Sequence, residues 1–234
     1  IMPGTHLDMK ERAISISQED CFKVGLTSVC DAGLEYMDIE LIEQLQDHGD
    51  LKMKIYAMLT PTTETLEKIM TQGPIITDRL TVRSVKLYAD GALGSRGACL
   101  LHDYHDKPHW KGMMLSPQAY YDSLCQMADQ YGYQVNTHAI GDSANRVILK
   151  TYERYLKGDN DKRWRIEHAQ VVHPDDFYMF GKYNIIPSVQ PTHATSDMYW
   201  ADERLGPERI KSAYAYEELK KENGWIPLGT DFPI

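Results

Sequence analysis

Two histidines and an aspartate stand at the ends of three short apolar segments, where buried strands are expected to finish. His138 ends the segment that begins at residue 133, His168 follows residues 163–167, and Asp231 follows residues 225–229. Imidazole and carboxylate groups are the ligands that zinc and similar metals prefer. A lone histidine is often a hydrogen-bonded core residue, and Asp231 alone could cap a helix. The two histidines, however, are separated by about the length of one βα unit, which favours a shared metal centre.

Lys86 is a further candidate because it lies inside the apolar segment 82–88. Burial lowers the pKa of a lysine amine. A neutral amine can add carbon dioxide, and the resulting carbamate can bridge two metals. The alternative is an ordinary ion pair with Asp90 or Asp231.

Two other polar residues follow predicted strands. His193 ends the segment Gln190-Pro191-Thr192-His193, where it could contact a substrate or polarise a carbonyl group. Asp142 stands where the next helix should begin, so we interpret it as a helix N-cap rather than a catalytic group.

The elements that must position these residues alternate between strands and helices. Such repeats predict a parallel sheet with right-handed crossovers. Reactive residues after several different strands favour a (β/α)8 TIM barrel, with about seven of its eight strands present, over a doubly wound sheet. The chain also lacks the G-x-G-x-x-G turn of a dinucleotide-binding fold. The predicted strands are 23–31, 52–59, 82–88, 133–138, 163–167, 184–190 and 225–229, and the predicted helices are 35–48, 62–70, 117–130, 143–156, 174–181 and 207–222.

Composition narrows the function further. The 234 residues carry a formal charge of -9, which argues against nucleic acid as a partner because such a binder needs a basic face. The sequence has no apolar run near the ~18–20 residues that cross a bilayer. A small molecule is the expected substrate. Localisation and the formation of a homo-oligomer are left open.

Five segments together resemble the amidohydrolase superfamily, in particular its YtcJ-like branch of metal-dependent hydrolases. They occur in the family's order. The matching segments are 86–98, 138–142, 165–170, 190–193 and 229–233.

The resemblance implies a barrel enzyme that hydrolyses carbon–nitrogen bonds other than peptide bonds, in amides or cyclic amides, by attack of a metal-bound hydroxide. His138, His168 and Asp231 are implied as ligands of one or two divalent ions, with zinc expected. Lys86 is implied as a further ligand and is carboxylated in many members. Asp231 is also implied as the general base, and His193 as a catalytic group at the oxyanion.

The irregular segment 91–115 is expected to cover the mouth of the site and to select the substrate. We expect substrate contacts from Asp90, Gly91, Arg96 and Gln190.

The sequence also departs from the family. It contains no His-x-His pair, which normally follows the first strand, and neither chain end supplies the usual small β-sandwich domain. We therefore expect residues 1–234 to be a fragment of the barrel, from its second to its eighth strand, that is inactive alone. The alternatives are a deaminase or phosphotriesterase-like hydrolase on the same barrel, or a degenerate barrel that binds without catalysis.

Overall fold

The computed structural model describes residues 7–158 and 160–232 of the chain. These residues fall into two units. The first contains the chain up to Lys86 together with Tyr131–Tyr133, and the second contains residues 87–130 and the chain from Gln134 onward. Among the described residues, no helix is long and apolar enough to span a membrane.

The first unit contains a parallel sheet. β1 pairs with β2 and β2 with β4, both in parallel, while the short β3 pairs with β4 in the antiparallel sense. Buried residues at helical spacing on α2, such as Ile39 and Ile42, form the apolar face that the sequence pattern predicts. The elements are α1 Leu7–Lys23, β1 Ser28–Leu34, α2 Tyr36–Asp47, β2 Lys54–Leu59, α3 Thr63–Lys68, a 3-10 turn Met70–Gln72, β3 Ile75–Ile76 and β4 Leu80–Tyr88, which continues into the second unit.

Helix α1 was not predicted. Lys23, which we expected to begin a strand, is instead its last residue. Gln18 is the buried residue of this helix, and large apolar side chains such as Met9 and Ile16 are exposed. Without an apolar face at helical spacing, the sequence carries little signal for this helix.

The second unit continues the alternation of strands and helices. β5 pairs with β6 and β6 with β7, all in parallel. The elements are α4 Gln118–Tyr131, β5 Gln134–Ala139, α5 Asp142–Tyr152, β6 Arg165–His168, a 3-10 turn Pro174–Asp176, α6 Tyr178–Lys182, β7 Ile186–Ser188, α7 Pro191–Asp197, α8 Ala201–Arg209, a 3-10 turn Ile210–Ser212 and α9 Tyr216–Asn223. The described residues thus form an α/β fold of parallel strands linked by helices.

In the second unit, the predicted final strand and the predicted last helix differ from the elements that the structure contains. The final strand, predicted at residues 225–229, is represented by one parallel bridge between Leu228 and Val189. The long helix predicted at residues 207–222 is divided among α8, a 3-10 turn and α9. Tyr214 interrupts it with a left-handed φ of 53° and an N–H that donates to the carbonyl of Gln170 at 2.7 Å. This tertiary hydrogen bond outweighs the local helical pattern.

The segment 91–115 is irregular, as predicted, but it is packed. Its buried apolar side chains form a small core with residues of the β5 and β6 ends and of α8. The cluster consists of Leu93, Ala98, Leu100, Tyr104, Ile140, Val171 and Leu205. A salt bridge from Arg204 of α8 to Asp106 joins the segment to α8, and Arg96 binds the same carboxylate from within the segment.

Candidate metal centre

The site is built at the carboxyl ends of β5 and β6. These strands are parallel, with His138 opposite Glu167 and Ala139 opposite His168. Their ends therefore meet at one edge of the sheet, and the rings of His138 and His168 lie edge-to-face with centroids 4.6 Å apart. The prediction that these histidines end adjacent strands is confirmed.

His168 owes its direction to an unusual turn of the backbone. Its φ is 74° and that of Ala169 is 42°, both in the left-handed region that non-glycine residues rarely adopt. Such strain clusters at functional sites. The turn brings the His168 ring against that of His193, which stacks on it at 5.5 Å.

His168, His193 and Asp231 form the group whose geometry could hold a metal. Each offers one nitrogen or oxygen atom, and these atoms all lie within 4.8 Å of one another. Asp231 also has a left-handed φ, of 55°. Two imidazoles and one carboxylate are a common donor set for zinc, so these residues fit a divalent ion. The sequence did not predict His193 as a ligand. Pro233, the last residue of the motif 229–233 that contains Asp231, lies outside the described residues.

His138 stands beside this group with a partner of its own. Its Nε2 lies 3.6 Å from Oδ1 of Asp90, and its ring lies 5.8 Å from that of Tyr88. The predicted set of His138, His168 and Asp231 is thus brought together in part, with His193 added to it.

Asp90 is a buried carboxylate at a junction of the backbone. It accepts hydrogen bonds from the N–H groups of Ile140 at 3.0 Å, Gly141 at 2.8 Å and Cys99 at 2.8 Å. Burial raises the pKa of Asp90 to about 7, although these three hydrogen bonds act to lower it. The carboxylate therefore holds the turn that follows His138.

Asp142 is the first residue of α5, and Gly141 occupies the N-cap position. Its Oδ1 accepts from the N–H groups of Leu101 at 2.9 Å and Ser143 at 3.0 Å. The prediction that Asp142 is the N-cap of this helix is therefore wrong by one residue. Asp142 ties the segment 91–115 to α5.

The residues expected to bind substrate have protein partners in the structure. Oε1 of Gln190 lies 2.7 Å from Nδ1 of His168, and the backbone N–H of Gly91 donates to the carbonyl of Gly97 at 3.2 Å. Arg96 binds both carboxylate oxygens of Asp106, at 3.1 and 2.7 Å. Direct contact of these residues, or of Asp90, with a substrate stays a prediction.

A polar network next to the site was not predicted. Nε2 of Gln170 donates to Asp197 Oδ2 at 3.2 Å and to the hydroxyl of Tyr214 at 2.8 Å, and that hydroxyl donates to Asp197 Oδ2 at 2.8 Å. Burial, aided by Asp197, raises the pKa of Tyr214. The turn at Tyr214 that closes this network has no local sequence signal.

Lys86 lies in β4 and is buried. Lys86 belongs to the first unit, whereas the other candidate site residues belong to the second. Its role as a carboxylated ligand stays a prediction.

Comparison with known proteins agrees with this description. Protein LONG AFTER FAR-RED 3 of Arabidopsis thaliana is 30% identical over 97% of this chain and 42% of its own length. The putative amidohydrolase YtcJ of Bacillus subtilis is 28% identical over 96% of this chain and 43% of its own. The crystal structure of an uncharacterized metal-dependent hydrolase from Pyrococcus furiosus matches with a TM-score of 0.89 and 30% identity, over 99% of this chain and 48% of that one.

The chain thus spans less than half the length of each of these relatives. The model of the amidohydrolase family matches residues 4–234, nearly the whole sequence. The chain belongs to the amidohydrolase family.

Proposed function

We propose that the protein is a metal-dependent hydrolase of carbon–nitrogen bonds, in amides or cyclic amides of small molecules. The observation that carries this proposal is the convergence of ligand atoms from His168, His193 and Asp231 within 4.8 Å of one another. Membership of the amidohydrolase family and the likeness to a metal-dependent hydrolase support it. In this proposal the parallel strands are part of a (β/α)8 barrel whose active site lies at the carboxyl ends of its strands.

A divalent cation, with zinc proposed, would supply Lewis acidity and lower the pKa of a water molecule that it binds. His168, His193 and Asp231 would hold it, with His138 beside them as a ligand of a second ion. Asp231 would also accept the proton of the attacking water and pass it to the leaving nitrogen. If His193 does not bind the ion, its imidazole would instead donate a hydrogen bond to the developing oxyanion.

Metal analysis of single variants of the purified protein tests the ligand set. We expect His168→Ala and Asp231→Asn to lower the bound metal per chain, and His193→Ala to lower it as well. The exposed loop residue His109 provides the control, because His109→Ala should leave the metal content unchanged. Unchanged metal in both His168→Ala and Asp231→Asn would contradict the proposed centre.

The reaction needs its own measurement. A panel of amides, cyclic amides, amino-substituted heterocycles and phosphotriesters, assayed on the metal-loaded protein, separates the substrate classes. Turnover of an amide that is lost in Asp231→Asn supports the proposal. Metal binding with turnover of another class only would replace it with one of the other hydrolase classes that the sequence leaves open.

A further inference from the structure

We infer that Gln190 is a positioning residue that sets the tautomer of His168. In this inference Gln190 keeps the proton of the His168 ring on Nδ1 and leaves the lone pair of Nε2 for a metal. The inference rests on the proposed function in one respect, namely that His168 is a ligand.

The ring of His168 contacts the side-chain amide of Gln190. Nδ1 of His168 and Oε1 of Gln190 lie 2.7 Å apart, and the two residues are 6% and 5% exposed. An amide oxygen can only accept a hydrogen bond, so the ring nitrogen that faces it must carry the proton. A neutral imidazole has one N–H group. Nε2 is therefore the atom that can act as a ligand.

Hydrogen bonds hold the backbone of Gln190 in place. It is the N-cap residue of α7, and its backbone carbonyl accepts the hydroxyl of Tyr216 at 3.0 Å. The same carbonyl accepts the N–H of His193 at 3.0 Å. The side-chain amide of Gln190 is thus attached to a backbone that these hydrogen bonds hold in place. The same turn of backbone carries His193.

The chain beside Gln190 is also hydrogen-bonded to the segment that leads to Asp231. Val189, the neighbour of Gln190, donates its N–H to the carbonyl of Pro227 at 3.2 Å and accepts the N–H of Gly229 at 3.0 Å. Residues 189–190 therefore contact the backbone that precedes Asp231, the turn that carries His193 and the ring of His168. Gln190 lies where all three candidate ligands are joined.

A hydrogen bond donated by the second ring nitrogen commonly orients a histidine ligand, and its loss weakens metal binding by about 10–100-fold. A purely structural amide would contribute only to stability. The two roles differ in what they do to the proton of the ring. That difference can be measured in the absence of metal.

Nuclear magnetic resonance of the metal-free, 15N-histidine-labelled protein at about pH 8 reports the tautomer directly. We expect His168 to carry its proton on Nδ1 in the unmodified protein. Gln190→Leu should move it partly or fully to Nε2, while Gln190→Glu, whose carboxylate also accepts, should keep it on Nδ1. Gln170→Leu removes a comparably buried amide that bonds to Asp197 and Tyr214, and it should leave the tautomer unchanged.

Titration with Zn²⁺ gives the second measurement. Gln190→Leu should weaken binding by about 10–100-fold, and Gln190→Glu should restore it. A proton on Nε2 of His168 in the unmodified protein, or an unchanged tautomer and affinity in a folded Gln190→Leu variant, would overturn the inference. If His168→Ala leaves Zn²⁺ affinity unchanged, the proposed metal centre fails instead, even where the tautomer is as expected.

Discussion

Oδ1 of Asp90 lies 3.6 Å from Nε2 of His138, and the same carboxylate accepts three backbone N–H groups. Two of these groups belong to Ile140 and Gly141, in the turn that follows β5. The third belongs to Cys99, in the segment 91–115. One buried side chain therefore lies beside the His138 ring and also holds the backbone turn that follows His138.

Replacement of Asp90 should destabilise the fold. Asp90→Asn keeps the size of the side chain but offers one acceptor oxygen, and its NH₂ group would face a backbone N–H. We expect the free energy of unfolding to fall by about 1–3 kcal/mol, measured by urea denaturation. Asp103→Asn is the control, because Asp103 accepts one N–H group, from His109, in an exposed setting. Equal losses in the two variants would show that the Asp90 junction has no special weight.

Asn145 links the turns after β5 and β6, and its replacement gives the second prediction. Its buried Nδ2 lies within hydrogen-bonding distance of four carbonyl oxygens, those of Ala139, Ile140, Gly141 and Val171. Asn145→Asp places a carboxylate oxygen against them, so we expect a loss of about 3 kcal/mol or more in unfolding free energy.

The matched variant is Asn145→Ala, which removes the donor without adding a charge. It should cost about 1–3 kcal/mol. Urea denaturation of both variants at pH 7 checks the order. An Asn145→Asp protein that is at least as stable as Asn145→Ala would mean that the carbonyl oxygens do not converge on this donor.

Gly141 provides the third prediction because a backbone group lies where its Cβ would be. A Cβ atom there would stand 2.0 Å from the carbonyl oxygen of Cys99, which also accepts the N–H of Ser143 at 3.1 Å. We expect Gly141→Ala to lower the unfolding free energy by about 1–3 kcal/mol or more. Gly229→Ala meets no atom within 4 Å and should be nearly neutral. Thermal denaturation that shows equal shifts would contradict this close packing.

Much of the site followed from sequence spacing. The separation of His138 and His168 predicted adjacent strand ends, because a βα unit has a typical length and parallel strands end at the same edge. Burial of Lys86 likewise followed from its apolar neighbours. These are local or periodic properties, which a single sequence carries.

What the sequence did not predict depends on contacts between distant residues. His193 joins the ligand group from the first turn of α7, whereas the local pattern placed it at the end of a strand. The left-handed turn at His168 and Ala169 lacks a glycine that would have marked it. The helix predicted at residues 207–222 is broken at Tyr214 by its hydrogen bond to Gln170, a residue of the β6 end.

Two arginines bind the Asp106 carboxylate, so its contribution to stability should depend on pH. The hydrogen bonds from Arg96, aided by Arg204, hold the pKa of Asp106 below its ordinary value. A carboxylate with a lowered folded pKa stabilises the protein above its unfolded pKa, near 4, and that stability is lost as the pH falls through the folded value. We expect Asp106→Asn to lower the melting temperature at pH 7 by about 2–4 °C.

Since the variant has no carboxylate to protonate, its difference from the unmodified protein should narrow as the pH falls below about 4. Melting curves between pH 3 and pH 7 measure this. Asp161→Asn is the control, because the pair of Asp161 and Arg163 is 77% and 61% exposed and should contribute little at any pH. A difference for Asp106→Asn that stays constant or widens at low pH would show that the two arginines do not stabilise the ionised carboxylate.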